Sequence, residues 1–153
     1  MNASYFFSQY FKTIEEKLSS IDVAQLEQAA DMVGQIHSVG KKVIVVGNGG
    51  SAAMASHVAV DFTKAAKIRA VNFNEADLLT CFANDFGYEN WVSKALEFYA
   101  DQGDLVILIS SSGNSQNILN GAKKAKNMGL SVITVSGFLF DNPLRKLGDM
   151  NLW

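Results

Sequence analysis

The hydrophobic positions of the chain change their period near residue 40. Before it, apolar residues recur at spacings of three and four, as in amphipathic helices. These positions are Phe7, Phe11, Ile14 and Leu18, then Val23, Leu26, Met32, Val33 and Ile36. After it come short runs at 43–46, 105–109 and 132–135 that are apolar except for Thr134, rich in β-branched residues and too short for helices. The pattern predicts two N-terminal helices, broken at Ser19 and Ser20, followed by buried strands.

Helical patterns lie between the predicted strands. They cover residues 52–66, 76–83, 88–100 and 118–128, and a weaker strand is expected at 68–73. Strands that are apolar on both sides and alternate with helices predict a parallel sheet with right-handed crossovers and helices on both faces. Residues 149–153 resemble the start of another strand. Because a buried strand needs a cover, we expect the covering element to be missing from this chain or supplied by a neighbour.

Composition and charge narrow the class of protein. The chain has 153 residues, of which 48% are hydrophobic and 18% charged, and this suits one domain with a sizeable core. A formal net charge of −2 gives no basic footprint for nucleic acid. We find no apolar run long enough for a membrane span and no secretory signal. The single cysteine, Cys81, forms no intrachain disulfide, so we expect a cytoplasmic protein in which this thiol is buried and inert.

Two loops directly follow predicted strands and directly precede predicted helices. The first is Gly-Asn-Gly-Gly-Ser at 47–51, and the second is Ser-Ser-Ser-Gly-Asn-Ser at 110–115. Glycines allow a sharp turn close to a ligand, Ser51 can cap the following helix, and a helix N-terminus favours an anion. The four hydroxyls of the second loop make a neutral cradle for phosphate. Both loops would open at the carboxyl edge of the sheet, where open α/β folds bind ligands, and this placement predicts an anion-binding site. The alternative is that both loops are ordinary hydrophilic turns without a ligand.

The first loop also fits a dinucleotide fingerprint. Gly47, Gly49 and Ala52 satisfy the pattern G-x-G-x-x-G/A, which raises the possibility of a nicotinamide enzyme. The carboxylate that binds the ribose should close the second strand about 20 residues on, whereas Glu75 lies further along. A Walker-type lysine is also lacking. A nicotinamide enzyme is therefore a distant third interpretation.

Two polar pairs are candidates for chemistry. His57 and Asp61 lie four residues apart on the helix that leaves the first loop, so they share one face. They form either an acid–base pair or two ligands of a divalent metal, or else His57 is an ordinary surface or core histidine. A catalytic zinc usually takes three protein ligands, and His37 is the only other histidine. Asn84 and Asp85 are expected in a loop that ends a helix, where a C-cap and turn is the structural alternative.

Together, the two loops, His57 and the Asn-Asp-Phe-Gly segment at 84–87 resemble the sugar isomerase (SIS) domain family, in particular its phosphoheptose isomerases. The resemblance implies one SIS domain over residues 1–153, in which the helices of 1–40 pack between subunits and 41–153 form a sugar-phosphate-binding core. The implied fold is a three-layer α/β fold with a five-stranded parallel sheet of flavodoxin-like order. The implied assembly is a homotetramer with active sites at subunit interfaces.

The resemblance also implies roles for single residues. Ser110, Ser111, Ser112 and Ser115 would hold the substrate phosphate, and Asn48, Gly49, Gly50, Ser51, Asn84 and Asp85 would line the sugar chain. His57 matches a zinc ligand. Asp61 stands where the isomerases carry a glutamate that is both metal ligand and base, so the carboxylate is kept but its reach shortens by one methylene. The helix that carries the family's remaining Gln and His lies past the last residue, so the zinc site would be incomplete.

The resemblance implies a function, and an alternative stands beside it. The implied function is aldose–ketose isomerisation of sedoheptulose 7-phosphate to D-glycero-D-manno-heptose 7-phosphate, through an enediol, for lipopolysaccharide or capsule heptose synthesis. The alternative is a SIS module without catalysis that binds a sugar phosphate or a protein, like the family's initiator-associating relatives. The exchange to Asp61 and the missing helix favour that alternative.

Overall fold

In the computed structural model, which describes residues 2–153, the chain opens with two helices. They are α1 (Ala3–Ser19) and α2 (Val23–Ser38). Each begins after a side chain, Asn2 or Asp22, that accepts a hydrogen bond from the backbone N–H two residues on. Such caps satisfy a donor that the helix itself leaves unpaired. The two predicted N-terminal helices are confirmed.

Strands and helices alternate over the rest of the chain. The strands are β1 (Val43–Gly47), β2 (Ala70–Val71), β3 (Leu105–Ser110), β4 (Ser131–Ser136) and β5 (Met150–Leu152). The helices are α3 (Gly50–Lys64), α4 (Ala76–Phe86), α5 (Trp91–Tyr99) and α6 (Gln116–Asn127), and a 3₁₀ turn at Leu144–Lys146 precedes β5. Every predicted element is present. The observed ends differ from the predicted ends by up to three residues, because capping and local turns determine where an element ends, whereas the hydrophobic period indicates only that the element exists.

The five strands are all parallel, in the order β2-β1-β3-β4-β5. This is the flavodoxin-like order that the resemblance implies. β1 and β3 are neighbours, although the connections from them lead toward opposite edges of the sheet. Open α/β sheets bind ligands at such a switch point, outside the carboxyl ends of the strands. Gly47, the last residue of β1, pairs with Ile109, the residue before the last of β3, so the carboxyl ends of the two strands lie side by side.

Separate apolar clusters cover the two faces of the sheet. On one face, Ile44, Val46, Val106 and Leu108 pack with residues of α5 and α6 that include Trp91, Leu96 and Ile118. On the other, Val43, Val45, Leu105 and Ile107 pack with Val33 of α2 and Ala55 of α3. Successive side chains of a strand point to opposite faces, so a strand covered on both faces is apolar at every position. This explains the unbroken apolar runs in the sequence.

The face beside α2 and α3 keeps an open groove. Its volume is about 850 Å³, and its lining, which is almost wholly apolar, includes Val45, Val58, Ile107, Val135 and Leu152. Whether a further element covers this groove stays a prediction. α1 contributes no buried residue. None of the helices that the structure describes is long and apolar enough to cross a membrane.

Candidate functional site

The first loop turns the chain from β1 into α3 within two residues. Gly47 has no room for a side chain, because a Cβ there would lie 2.6 Å from the backbone carbonyl carbon and oxygen of Ser51. Gly49 is the N-cap residue of α3, with a φ of 54° and a ψ of −121° that favour glycine. These two glycines therefore allow α3 to start immediately beside the end of β1.

Ser51 does not cap α3, so this part of the sequence prediction is wrong. The helix begins at Gly50, and Ser51 lies inside the first turn, where its N–H donates to the Asn48 carbonyl at 3.0 Å. Gly49 occupies the cap position, and no side chain makes a cap hydrogen bond to α3. The backbone amides that begin the helix are consequently not satisfied by a cap side chain.

The second loop brings two serine hydroxyls together at the start of α6. Ser110 is buried, and its Oγ donates to the Ser115 Oγ at 3.3 Å. Ser115 is the N-cap residue of α6 but makes no cap hydrogen bond through its side chain. The Gly113 N–H donates to the Ser110 carbonyl at 3.0 Å, and the Ser112 Oγ accepts from the Asn114 N–H at 3.2 Å. A tight loop thus groups hydroxyls at a helix N-terminus, where an anion is favoured.

A cavity of about 510 Å³ lies between the two loops. Three strand ends contribute to it: Asn48, Gly50 and Ser51 follow β1, Ser111 follows β3, and Ser136 and Gly137 end and follow β4. Both loops therefore open at the carboxyl edge of the sheet, as predicted, and Ser111 is the residue of the second loop that lines the cavity. Our sequence analysis missed Ser136 and Gly137. The strand order could have indicated these two residues, because β4 lies next to β3 and its carboxyl end reaches the same edge of the sheet as the two loops.

A pair of side-chain amides joins the first loop to the start of α6. The Asn48 Nδ2 donates to the Asn117 Oδ1, and the Asn117 Nδ2 donates to the Asn48 Oδ1, both at 2.9 Å. The Tyr88 hydroxyl also donates to the Asn48 Oδ1, at 3.3 Å. Asn117 lies in the first turn of α6 and is buried. Sequence reasoning missed both Asn117 and Tyr88, because neither belongs to a recognisable motif.

His57 and Asp61 form a pair on the exposed side of α3. The His57 Nε2 lies 3.4 Å from the Asp61 Oδ2, and the two side chains are 79% and 61% exposed. His57 also lines the apolar groove. Within residues 2–153, no group of three His, Cys, Asp or Glu side chains could hold a metal ion. The pair supplies two donors where a catalytic zinc takes three, so the described residues do not form a complete zinc site.

Asn84 and Asp85 lie in the last turn of α4 and not in a loop, which corrects the sequence prediction. The helix continues to Phe86 and ends at Gly87, whose φ is 86°. The Asn84 Nδ2 donates to the Asp85 Oδ1 at 2.9 Å. Within the part of the chain that the structure describes, no hydrogen bond links either side chain to the two loops. Their role in lining the sugar stays a prediction.

Cys81 lies one turn before Asp85 and is exposed, so the expectation of a buried thiol is wrong. Its Sγ lies 3.7 Å from the Asp85 Oδ2. The negative charge of Asp85 raises the pKa of the Cys81 thiol above its usual value of 9.0. Because the thiolate is the reactive form, this neighbour disfavours the reactive form of the thiol.

Comparison with known proteins gives one family. The sequence profile of the SIS domain family matches residues 8–137. The chain is similar to the phosphoheptose isomerase of Campylobacter concisus, with 39% identity over 132 residues that cover 82% of this chain and 69% of that protein. It is also similar to the phosphoheptose isomerase of Clostridium acetobutylicum, with 39% identity over 76% of this chain and 61% of that protein. The chain thus spans about two thirds of the length of these relatives.

Solved structures give the same fold. A phosphoheptose isomerase from Francisella tularensis matches with a TM-score of 0.89 at 23% identity, over 99% of this chain and 85% of that one. At this identity, the likeness shows the architecture alone. It agrees with the five-stranded parallel order of the sheet.

Proposed function

The chain belongs to the SIS domain family, and on that premise we propose that it is an isomerase of sedoheptulose 7-phosphate. The product is D-glycero-D-manno-heptose 7-phosphate, which feeds lipopolysaccharide or capsule heptose synthesis. The observation that carries the proposal is the cavity between two anion-favouring loops at the switch point of the sheet. Relatives that are 39% identical and named phosphoheptose isomerase support it.

The phosphate of the substrate binds at the second loop. Its hydroxyls come from Ser110, Ser111, Ser112 and Ser115, and the N-terminus of α6 adds backbone N–H groups. The Ser112 oxygen already accepts from the Asn114 N–H, so the Ser112 hydroxyl can still donate to a phosphate oxygen. These donors are neutral, and they hold the dianion by hydrogen bonds and the helix dipole.

The sugar chain lies along the first loop. Asn48, Gly50 and Ser51 line the cavity, and the absence of a side chain at Gly50 lets the ligand approach the backbone of α3. Gly49 follows Asn48 in the same turn, and Asn84 and Asp85 approach the sugar from α4. In this proposal the phosphate lies at the second loop and the reacting carbons lie toward α3.

Asp61 is the base of the isomerisation. A carboxylate oxygen takes the proton from C1 of the ketose, an enediol forms as the electron pair moves toward the C2 carbonyl, and the proton returns at C2 while C1 becomes the aldehyde carbon. His57, which lies 3.4 Å from Asp61, orients the carboxylate and exchanges protons with the sugar oxygens. The resemblance implies zinc at this pair. The two described donors, His57 and Asp61, do not complete a zinc site.

The protein associates with itself as a homotetramer and acts in the cytoplasm. α1 has no buried residue, yet it carries large exposed apolar side chains that include Phe7, Phe11 and Leu18. Such a helix needs a partner surface, and a second copy provides a symmetric one. The proposed location rests on the single free cysteine.

The test is a turnover assay in D₂O with zinc present and absent. Sedoheptulose 7-phosphate is incubated with the protein, and proton NMR follows aldose formation and deuterium uptake at C1 and C2. Appearance of the aldose with deuterium uptake supports the isomerase. Binding without aldose or deuterium uptake selects a SIS module that binds the sugar phosphate without catalysis, and the absence of binding rejects both of these functions.

A further inference from the structure

We propose that Asn117 is a positioning residue that fixes the Asn48 carboxamide so that Asn48 offers an N–H donor to the sugar. Asn117 itself does not line the cavity, whereas Asn48 does. Any effect of Asn117 on the ligand is therefore transmitted through Asn48. The inference rests on the proposed function for the identity of the ligand, but the arrangement of the amides is independent of that function.

The hydrogen bonds of Asn48 leave one group free. A carboxamide has two N–H donors and an oxygen with two lone pairs. The Asn48 oxygen accepts from Asn117 and from Tyr88, so both of its lone pairs are occupied. One Nδ2 hydrogen is donated to the Asn117 oxygen. The remaining Nδ2 hydrogen is the side-chain group that a ligand in the cavity can use.

The reciprocal pair also resists rotation of either amide. Turning the Asn48 amide by 180° alone would place oxygen against oxygen and N–H against N–H across the pair. Asn117 is 2% exposed, so water cannot easily replace the lost partners. The cost of a buried unpaired amide therefore prevents Asn48 from turning by itself, and the hydrogen bond from Tyr88 to its oxygen favours the observed arrangement of the pair.

The same helix holds the second partner of Asn48. Asn120, nearly one turn after Asn117 on α6, donates to the Glu89 carbonyl at 2.9 Å. This bond anchors the turn that carries Tyr88. α6 thus contacts the Asn48 oxygen directly through Asn117 and holds the turn of Tyr88, its second donor, through Asn120. Because the phosphate loop leads into the N-terminus of the same helix, α6 would position both the phosphate and the sugar chain of the ligand.

The experiment is a double-mutant cycle on ligand affinity. The variants are N117L, which is nearly isosteric and lacks both polar atoms, N48A, and N48A/N117L. Calorimetry measures binding of sedoheptulose 7-phosphate and of inorganic phosphate, which reports the second loop alone. The matched control is T134V, which removes the side-chain hydrogen bond from the fully buried Thr134 to Asn151, away from Asn48.

We expect N117L to weaken sugar-phosphate binding about tenfold, the size of one neutral hydrogen bond. Phosphate binding should change by less than about twofold, as should both affinities in T134V. In the N48A background, N117L should have no further effect. Equal losses for both ligands, or losses that multiply in the double variant, would show a merely structural role and overturn the proposal.

A second measurement separates this inference from the proposed function. In protein labelled with ¹⁵N at asparagine Nδ2, one hydrogen of Asn48 and one of Asn117 should exchange slowly with water, and N117L should make both Asn48 hydrogens exchange rapidly. This holds even if the wild type binds the sugar phosphate no better than phosphate, a result that would reject the proposed substrate only. Rapid exchange of both Asn48 hydrogens in the wild type would overturn the positioning role.

Discussion

At the scale of single residues, Asp61 is the group on which the proposed proton transfer depends. A base must come within about 3 Å of the proton it removes, and a displacement of about 1 Å can cost a hundredfold in rate. We therefore expect D61E, which restores one methylene of reach, to raise the rate of deuterium uptake at least tenfold. D61N should lower it at least a hundredfold, because an amide cannot accept the proton.

Stability provides the control for these two variants. The His57–Asp61 pair is exposed to water, so each substitution should change the free energy of unfolding by less than about 1 kcal/mol, measured by urea titration. A D61N variant that retains the wild-type rate would remove Asp61 from the mechanism. A slower D61E would mean that the shorter carboxylate is already well placed.

Part of the candidate site could be predicted from the sequence, because glycine and serine loops after buried strands carry a local signal. The helical state of Asn84 and Asp85 could not, since the hydrophobic period fades before the glycine that ends the helix at residue 87. Asn117 was also out of reach. Its proposed role depends on a hydrogen bond to Asn48, which lies 69 residues away in the sequence, and no local sequence pattern predicts a contact between the first loop and α6.

At the scale of elements, the packing of α5 against α6 depends on Gly121. A Cβ at this position would lie 2.5 Å from the Val92 Cγ1, and Val92 is fully buried. Alanine favours a helix by about 1 kcal/mol over glycine, but overpacking a core costs about 1–3 kcal/mol. We expect the steric cost to prevail, so that G121A lowers the free energy of unfolding by about 1 kcal/mol in urea titration.

Gly34 of α2 is the matched control. A Cβ there would meet no atom within 4 Å among the described residues, so only the helix propensity changes. G34A should raise the free energy of unfolding by about 0.5–1 kcal/mol. If both variants were stabilising, Val92 would have space to move, and the tight contact between α5 and α6 would be refuted.

The amino ends of β1 and β3 are held together by Lys42. Its Nζ lies 2.6 Å from carboxylate oxygens of Asp101 and Asp104, and Asp104 is 1% exposed. Burial alone would lower the pKa of Lys42, but hydrogen bonds to the two aspartates prevail and raise it above 10.5. The same hydrogen bond from Lys42 lowers the pKa of Asp101 below 3.8. This cluster lies at the edge of the sheet opposite the cavity.

The signs of these shifts define the pH dependence. Stability from the raised pKa of Lys42 is present below pH 10.5 and is lost as pH rises through the folded-state value. Stability from the lowered pKa of Asp101 is present above pH 3.8 and is lost as pH falls through the folded-state value. K42M should lower the free energy of unfolding by about 2 kcal/mol at pH 7, because it leaves Asp104 buried without its cation.

Urea titrations at pH 7, 4 and 3 measure this prediction. The difference between wild type and K42M should shrink as pH falls below 3.8 toward the folded-state pKa of Asp101, because the carboxylate charge that Lys42 stabilises is lost there. K12M removes an exposed pair with Glu16, at 3.9 Å, and should match the wild type throughout. A K42M difference that grows toward low pH would contradict the assigned cause.

The order of elements could be predicted because it depends on hydrophobic period, which is local. The buried strands are mostly apolar on both faces, and each helix between strands has the spacing of a single buried face. The exact ends could not be predicted. α6, for example, begins at Gln116 because Ser115 takes the cap conformation, and that choice reflects the loop and not the apolar pattern of the helix.

At the scale of the whole molecule, α1 stands apart from the fold. It has 17 residues and none of them is buried. Isolated helices of about 15 residues are marginal in water, so packing must provide most of their stability. Phe7, Phe11 and Leu18 form an exposed stripe on one face of this helix. The described residues therefore leave the apolar face of this helix uncovered, and we propose that a second copy of the chain covers it.

Substitution of this stripe tests the assembly directly. F7E/F11E places two carboxylates on the apolar face of α1, so burial against a partner would cost desolvation of both charges. We expect the wild type to have the mass of four subunits by light scattering and the variant to have a smaller mass, with weaker helical circular dichroism. Q9E/T13E adds the same two charges, at the same spacing, to the polar side of the helix and should leave the mass unchanged. A wild-type protein that elutes as one subunit would contradict the proposed assembly, and equal masses for F7E/F11E and the wild type would place the interface elsewhere.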